Sequence, residues 1–189
     1  LDRERGCWVR CSCPRDPPTC ITAGTASRGE IMLSYWDWAL DEGGILAFNP
    51  RRNAWRELPK PPMGDCSALS TLGDQRVVAL EEKACFTRPT RKMAIWDGET
   101  WSAVPDIPLV TDFEEHLGLG AVEHRIYVWT RRVIDVMESD WSLQYGTTLY
   151  VYDTTHGTWT ESNTFLADHR KRNSDKDQLE FTVVDGRLY

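Results

Sequence analysis

Short runs of alternating apolar and polar residues recur along this chain, each closed by a turn rich in Asn, Asp, Gly or Pro. In "ILAFNPRRNAWRELPKPP" (45–62), "KMAIWDGETWSAVPDIP" (92–108) and "TLYVYDTTHGTWTESN" (148–163), such a run meets a turn, and a Trp then opens a second short run. Alternation at period two marks a half-buried strand, and a polar turn between two such runs marks a hairpin. The anchoring residues are Trp55, Trp101 and Trp159, and "CWVRCSCP" supplies Trp8 as a fourth.

A second landmark follows each Trp: a tight polar turn feeding another alternating run. These are "SRGEIMLSYW" (27–36), "LGDQRVVAL" (72–80), "VEHRIYVW" (122–129) and "VDGRLY" (184–189). The Trps are spaced by 47, 46 and 58 residues, and the second landmark lies 23, 22, 25 and 29 residues beyond each. Two independent landmarks in one order, four times over, define an internal repeat.

A unit of about 45 residues with four short strands has the size of one β-propeller blade. With strands labelled a to d outward from the axis, strand a is predicted near 21–26, 67–72, 118–122 and 180–184. Strand b falls at 30–35, 76–80 and 125–130, strand c at 45–49, 93–97 and 148–153, and strand d at 54–58, 100–104 and 158–162. The expected fold is all-β: a partial propeller of four-stranded antiparallel blades, about three full blades plus parts of two more. Its units would be a preceding strand d at 7–12, blades at 21–58, 67–104 and 118–162, and a truncated blade at 180–189. The third blade carries an inserted b–c loop at 131–147 in this scheme. The chain starts at Leu1 without a leader and stops inside the strand-like "VVDGRLY", so we expect a piece of a longer protein with further blades elsewhere. Unpaired edges in such a piece invite association.

The c–d unit resembles the kelch repeat, with "FNPRRNAWRELP" and "IWDGETWSAVP" the best matches. Kelch repeats usually end strand b with a Gly–Gly pair. Here those places hold "YWDW", "LEEK" and "WTRR", and the one pair, Gly43–Gly44, precedes strand c instead. The resemblance implies a non-catalytic protein-binding module, such as the substrate-recognition domain of a ubiquitin-ligase adaptor that carries an F-box elsewhere. Binding of actin or the cytoskeleton is a second use of kelch proteins. A galactose-oxidase-like copper oxidase, or a small-molecule lyase or isomerase on the same propeller, is the enzymatic alternative.

Four antiparallel strands per blade send the loops to two ends. The a–b and c–d turns are tight, whereas the b–c loops (36–44, 81–91, 131–146) and d–a crossings (106–118, 163–178) are long and varied. Binding concentrates where loops vary on a rigid frame. A protein partner is therefore expected on the b–c/d–a end. Its anchors would be Trp38, Arg88, Arg91, Arg131, Arg132 and Trp141, because Trp and Arg dominate interface hot spots. The plainer alternative is that these side chains pack their own loops. The repeated Trps at the start of strand d are expected to pack between blades.

Composition narrows the field further. Of the 189 residues, 41% are hydrophobic and 27% charged, ordinary for a globular chain, while nine Trp favour strands and interfaces. A net charge of −7 argues against nucleic acid, and no apolar run approaches the ~18 residues of a membrane span. His116, His124, His156 and His169 lack metal spacing, and "FEEHLGLG" offers Glu114, Glu115 and His116 with no nucleophile nearby. No catalytic residue, metal or cofactor is assigned. "CWVRCSCPRDPPTC" lacks the paired C-x2-C of a zinc ribbon, and in register with "AWRELPKPP" it becomes an outer strand with cysteines packed on one face. Reduced thiols and no visible secretory leader point to a cytoplasmic or nuclear protein.

Overall fold

The computed structural model describes residues 20–37, 39–64, 66–81, 92–109, 115–137, 142–167, 183–184 and 187–188. Among these the chain is all-β. Strands β1 (Cys20–Ser27), β2 (Glu30–Asp37), β3 (Glu42–Asn49) and β4 (Ala54–Glu57) form a first antiparallel sheet in chain order. A second consists of β5 (Cys66–Thr71), β6 (Val77–Glu81), β7 (Met93–Trp96) and β8 (Trp101–Val104). A third holds β9 (Glu115–Val122), β10 (Arg125–Met137), β11 (Ser142–Asp153) and β12 (Thr158–Ala167). A two-stranded pair, β13 (Val183–Val184) and β14 (Arg187–Leu188), follows. The described sheets do not close into a ring.

Local chemistry explains the hairpins. Arg28 and Gly29 both take positive φ, 52° and 75°, the two-residue turn whose twist matches that of the flanking strands. Asn49 and Asp153 end the third strand of their sheets and Asp97 directly follows β7, and each folds the next turn with its own side chain. Their Oδ1 atoms accept from Arg51 and Arg52 N–H (both 3.1 Å), from Glu99 and Thr100 N–H (both 2.8 Å), and from Thr155 and His156 N–H (2.8 and 3.1 Å). In the first sheet Gly44 stands opposite Tyr35, where an added Cβ would lie 2.8 Å from Tyr35 Oη. The missing side chain lets the ring lie across the strand and donate its hydroxyl to Glu57 Oε1 at 2.8 Å. That gives Gly44 a packing role.

The sheets stack face to face. In β6, Val77 and Ala79 join Met32, Ile45, Ala47 and Leu58 in one core, while Val78 and Leu80 join Leu119, Ala121, Ile126 and Val128 in another. Strand alternation thus splits β6 between two neighbours, and all four of its apolar residues are 0% exposed. The first strands lie side by side, β1 against β5 and β5 against β9, with β13 and β14 next to β9. Hydroxyls tie them together: Thr22 Oγ1 donates to Cys66 O at 3.1 Å, and Thr25 and Thr71 share a hydrogen bond of 2.8 Å.

At the outer edge the repeated Trps do the same work. Trp101 Nε1 donates to Pro59 O at 2.8 Å, and Trp159 Nε1 donates to Pro105 O at 3.0 Å, each reaching the sheet before its own. Each Trp also leans on the aromatic opposite it, in the pairs Phe48–Trp55 (4.7 Å), Trp96–Trp101 (5.3 Å) and Tyr152–Trp159 (5.1 Å). The expectation of Trp packing between sheets therefore holds at Trp101 and Trp159, while Trp8 lies outside the described residues.

Several strands run further than the sequence reading: residues 36–37 and 42–44, 115–117 and 163–167, expected in b–c loops or d–a crossings, belong to β2, β3, β9 and β12. Residues 131–137 and 142–147, expected as part of an inserted loop, continue the strands β10 and β11, which stay paired out to Met137 opposite Ser142. The run "RRVIDVM" keeps enough β-branched residues to extend the ladder, and an irregularity between Val133 and Asp135 absorbs the mismatch.

Candidate functional site

The end of the sheets carrying the b–c and d–a connections is the expected binding end. Trp38, Arg88, Arg91 and Trp141 lie outside the described residues. Arg131 and Arg132 occupy consecutive positions of β10, opposite Thr147 and Gly146 of β11, and Arg131 also stands opposite Glu115 of β9. Arg131 is half-buried and shares a strand face with half-buried Trp129, two residues before it. A half-buried Arg covers apolar surface with its stem and presents only its head. The adjoining face is closed: Thr130 is 1% exposed and its hydroxyl donates to Thr148 O at 3.3 Å. The structure thus gives Arg131 a rigid strand seat, not the loop the sequence suggested.

The opposite end gathers the tight turns, and it holds a cluster of titratable groups around Asp74, Arg76, Glu123, His124, Asp153 and His156. Gly73 N–H donates to Glu123 O at 2.8 Å, locking the β5–β6 turn to the β9–β10 turn. A Cβ at Gly73 would sit 2.9 Å from Glu123 Cα, so only glycine permits that approach. Arg76 binds Asp74 (Nε–Oδ2 2.6 Å) and reaches the third sheet through Thr154 Oγ1 at 3.4 Å. Thr154 in turn donates both N–H and hydroxyl to His124 O at 2.9 Å. Asp153 lies between two imidazoles, 3.7 Å from His124 Nε2 and 3.2 Å from His156 Nδ1.

Electrostatics there are those of a well-built turn. Burial pushes the Asp153 carboxyl up. The hydrogen bond from the His156 ring and those from Thr155 and His156 N–H outweigh it and hold the carboxyl down at about 2. Asp97 is lowered by the Thr100 and Glu99 N–H groups in the equivalent turn. Glu30, held at 2.7 Å by Arg56, is lowered chiefly by that hydrogen bond. An open depression of about 510 Å³ borders Gly73, Asp74, Glu123 and His124. Chemically the cluster is committed to its own turns, since Thr154 and Asp153 spend their polar atoms on neighbouring residues. Among the described residues no group of three or more His, Cys, Asp and Glu could hold a metal ion.

Sequence reasoning placed His124 and His156 in tight turns but gave no sign that Asp153 would sit between them. Arg76 carried no signal at all, because its role depends on a neighbouring sheet. His116 is described only as a backbone position in β9, opposite Thr130, and His169 lies outside the described residues. Cys66 is buried in the core between the first two sheets, Cys20 is half-buried, and Cys85 lies outside the described residues. No helix among the described residues is long and apolar enough to cross a membrane.

No protein-family model matches the chain, and no curated protein matches it in sequence.

Proposed function

We propose that the three sheets are blades of a kelch-like β-propeller that serves as a non-catalytic protein-recognition module, of the kind that selects substrates for a ubiquitin-ligase adaptor in the cytoplasm or nucleus. The observation that carries this reading is the repeated stacking of four-stranded meanders with their first strands side by side. That is the arrangement in which blades fan out from a shared axis, leaving two ends of unequal loop length. The tight-turn end is stitched by backbone and side-chain bonds from sheet to sheet. The d–a crossings and the β6–β7 connection at the other end are longer than the turns, while β2–β3 and β10–β11 are each joined by four residues, and a partner is read there.

Cross-linking mass spectrometry of the full-length protein with its captured partner tests this reading. Cross-links are expected within residues 36–44, 81–91, 106–114 and 138–141, with none to the turns at 28–29, 73–75 and 123–124. Arg131→Ala with Arg132→Ala should weaken capture while leaving the unfolding free energy within about 1 kcal/mol of wild type. Cross-links centred on the tight turns, or capture that survives the double substitution, would sink the assignment of the binding end.

A further inference from the structure

At the rim of the stack the three sheets end on unlike strands. β4 and β8 are four residues each, AWRE and WSAV, and Pro59 and Pro105 follow them closely. β12 is ten residues, TWTESNTFLA, and holds no Pro and one charge, Glu161. Among the described residues it pairs with β11 alone, so its other edge presents a row of main-chain N–H and C=O groups. Native sheets blunt such an edge by keeping it short or by placing Pro on it. β4 and β8 are guarded in both ways, and β12 in neither.

The register with β11 slips between Thr147 and Leu149, where β12 has one residue more than its partner. A bulge of that kind bends a strand, which leaves Thr158–Ser162 as the regular stretch of open edge. Its side chains alternate. Trp159 and Glu161 stand opposite Tyr152 and Tyr150, on the face toward the second sheet, and Thr158, Thr160 and Ser162 stand on the other. All five are exposed except half-buried Trp159. A strip of hydroxyl side chains on a β-forming stretch suits a facing strand of the same kind, since Thr–Thr and Thr–Ser pairs across strands are favourable.

We infer that this edge joins a second copy of the chain, β12 against β12, antiparallel about a twofold axis through Thr160. An outermost antiparallel strand is complementary to itself, because the twofold axis brings outward N–H groups of one copy to the C=O groups of the other. The side chains select the register. Centred on Thr160, Thr158 faces Ser162 of the other copy, the two Thr160 side chains meet, and Trp159 faces Glu161. Centred on Glu161, two carboxylates would stand directly opposite, which is destabilising. The third sheets of the two copies then run on as one across the axis. The pairing uses the rim of a single sheet, so it depends neither on the recognition reading nor on what covers the flanks of the stack.

Sedimentation velocity of the full-length chain over rising concentration, with amide exchange read at Thr158–Ser162, tests the pairing. A dimer is expected, and those amides should gain protection as it forms. Thr160→Lys sets two ammonium groups together on the axis and should weaken dimerisation about tenfold or more. Glu161→Lys puts the same charge one place along, over Trp159 of the other copy, and should leave the dimer in place. Both positions are exposed, so both variants should keep the wild-type unfolding midpoint, and the exchange measurement needs neither. A chain that stays monomeric, a dimer without protection at Thr158–Ser162, or a dimer that survives Thr160→Lys overturns the proposal. Loss of the dimer in both variants overturns the register about Thr160. Protection of these amides only when another protein is added would give the edge to an extended segment of that protein, and overturns the pairing of copies as well.

Discussion

Replacing Trp101 by Phe separates the two ways this residue joins the first and second sheets. The indole donates to Pro59 O at 2.8 Å and its rings lie 5.3 Å from those of Trp96 at 46°. Phe keeps an aromatic partner for Trp96 but deletes the N–H. Pro59 is exposed, so its carbonyl regains water and no buried acceptor is stranded. The cost is then the net worth of one hydrogen bond, about 0.5–1.5 kcal/mol, plus a few tenths for the smaller ring. Ala also removes the ring pair, about 0.5–1.5 kcal/mol more, and part of a burial that costs about 3–5 kcal/mol when a fully buried aromatic is truncated. A half-buried Trp should therefore lose about 2–4 kcal/mol on truncation to Ala. Urea unfolding of the full chain reads both values, with exposed Ser102→Ala on the same strand as the control expected within about 0.5 kcal/mol of wild type. If Phe proves neutral, or Ala costs no more than Phe, the indole–carbonyl contact does not hold the sheets together as argued.

Two other outcomes follow from the core and from the turns. Leu80 is 0% exposed in the core between the second and third sheets, so Leu80→Ala should cost about 2–5 kcal/mol in the same unfolding assay, with the spread set by how far the cavity collapses. Asp153 titrates at about 2 in the folded chain against an ordinary 3.8, so its contribution is fully present above pH 4 and fades as pH falls toward 2. Asp153→Asn should flatten that acid limb of the stability curve while keeping the turn, since Asn49 builds the equivalent turn with an amide oxygen. An unchanged acid limb in Asp153→Asn would place the acid sensitivity elsewhere.

Alternation and the Trp repeat carried most of the strand layout. Even β1, whose "ITAGTAS" is rich in small residues, forms where the unit spacing demanded a strand. The strand extensions of β10 and β11 were hidden because Arg131, Arg132 and Asp135 interrupt the apolar rhythm, and charges in a run read as a loop. Their pairing depends on the facing strand, which no local window contains. The same limit applies to the indole bonds, since an accepting backbone carbonyl has no residue signature. It applies again to Arg76 and Asp153, whose partners come from other turns or other sheets. The proposed binding end was the least legible part. Trp and Arg are chosen there for residue type alone, and Arg131 shows how a strand can claim such a residue for its own packing.

The double burial of β6 has a consequence for how the molecule comes apart. A sheet covered on one side can peel away after losing a single neighbour, whereas the sheet built around β6 must lose two. In an array where each sheet touches only those beside it, opening starts at the flanks and reaches the middle last. The order of loss is thus inscribed in the stacking, and the β6 sheet is the last to keep the frame in register.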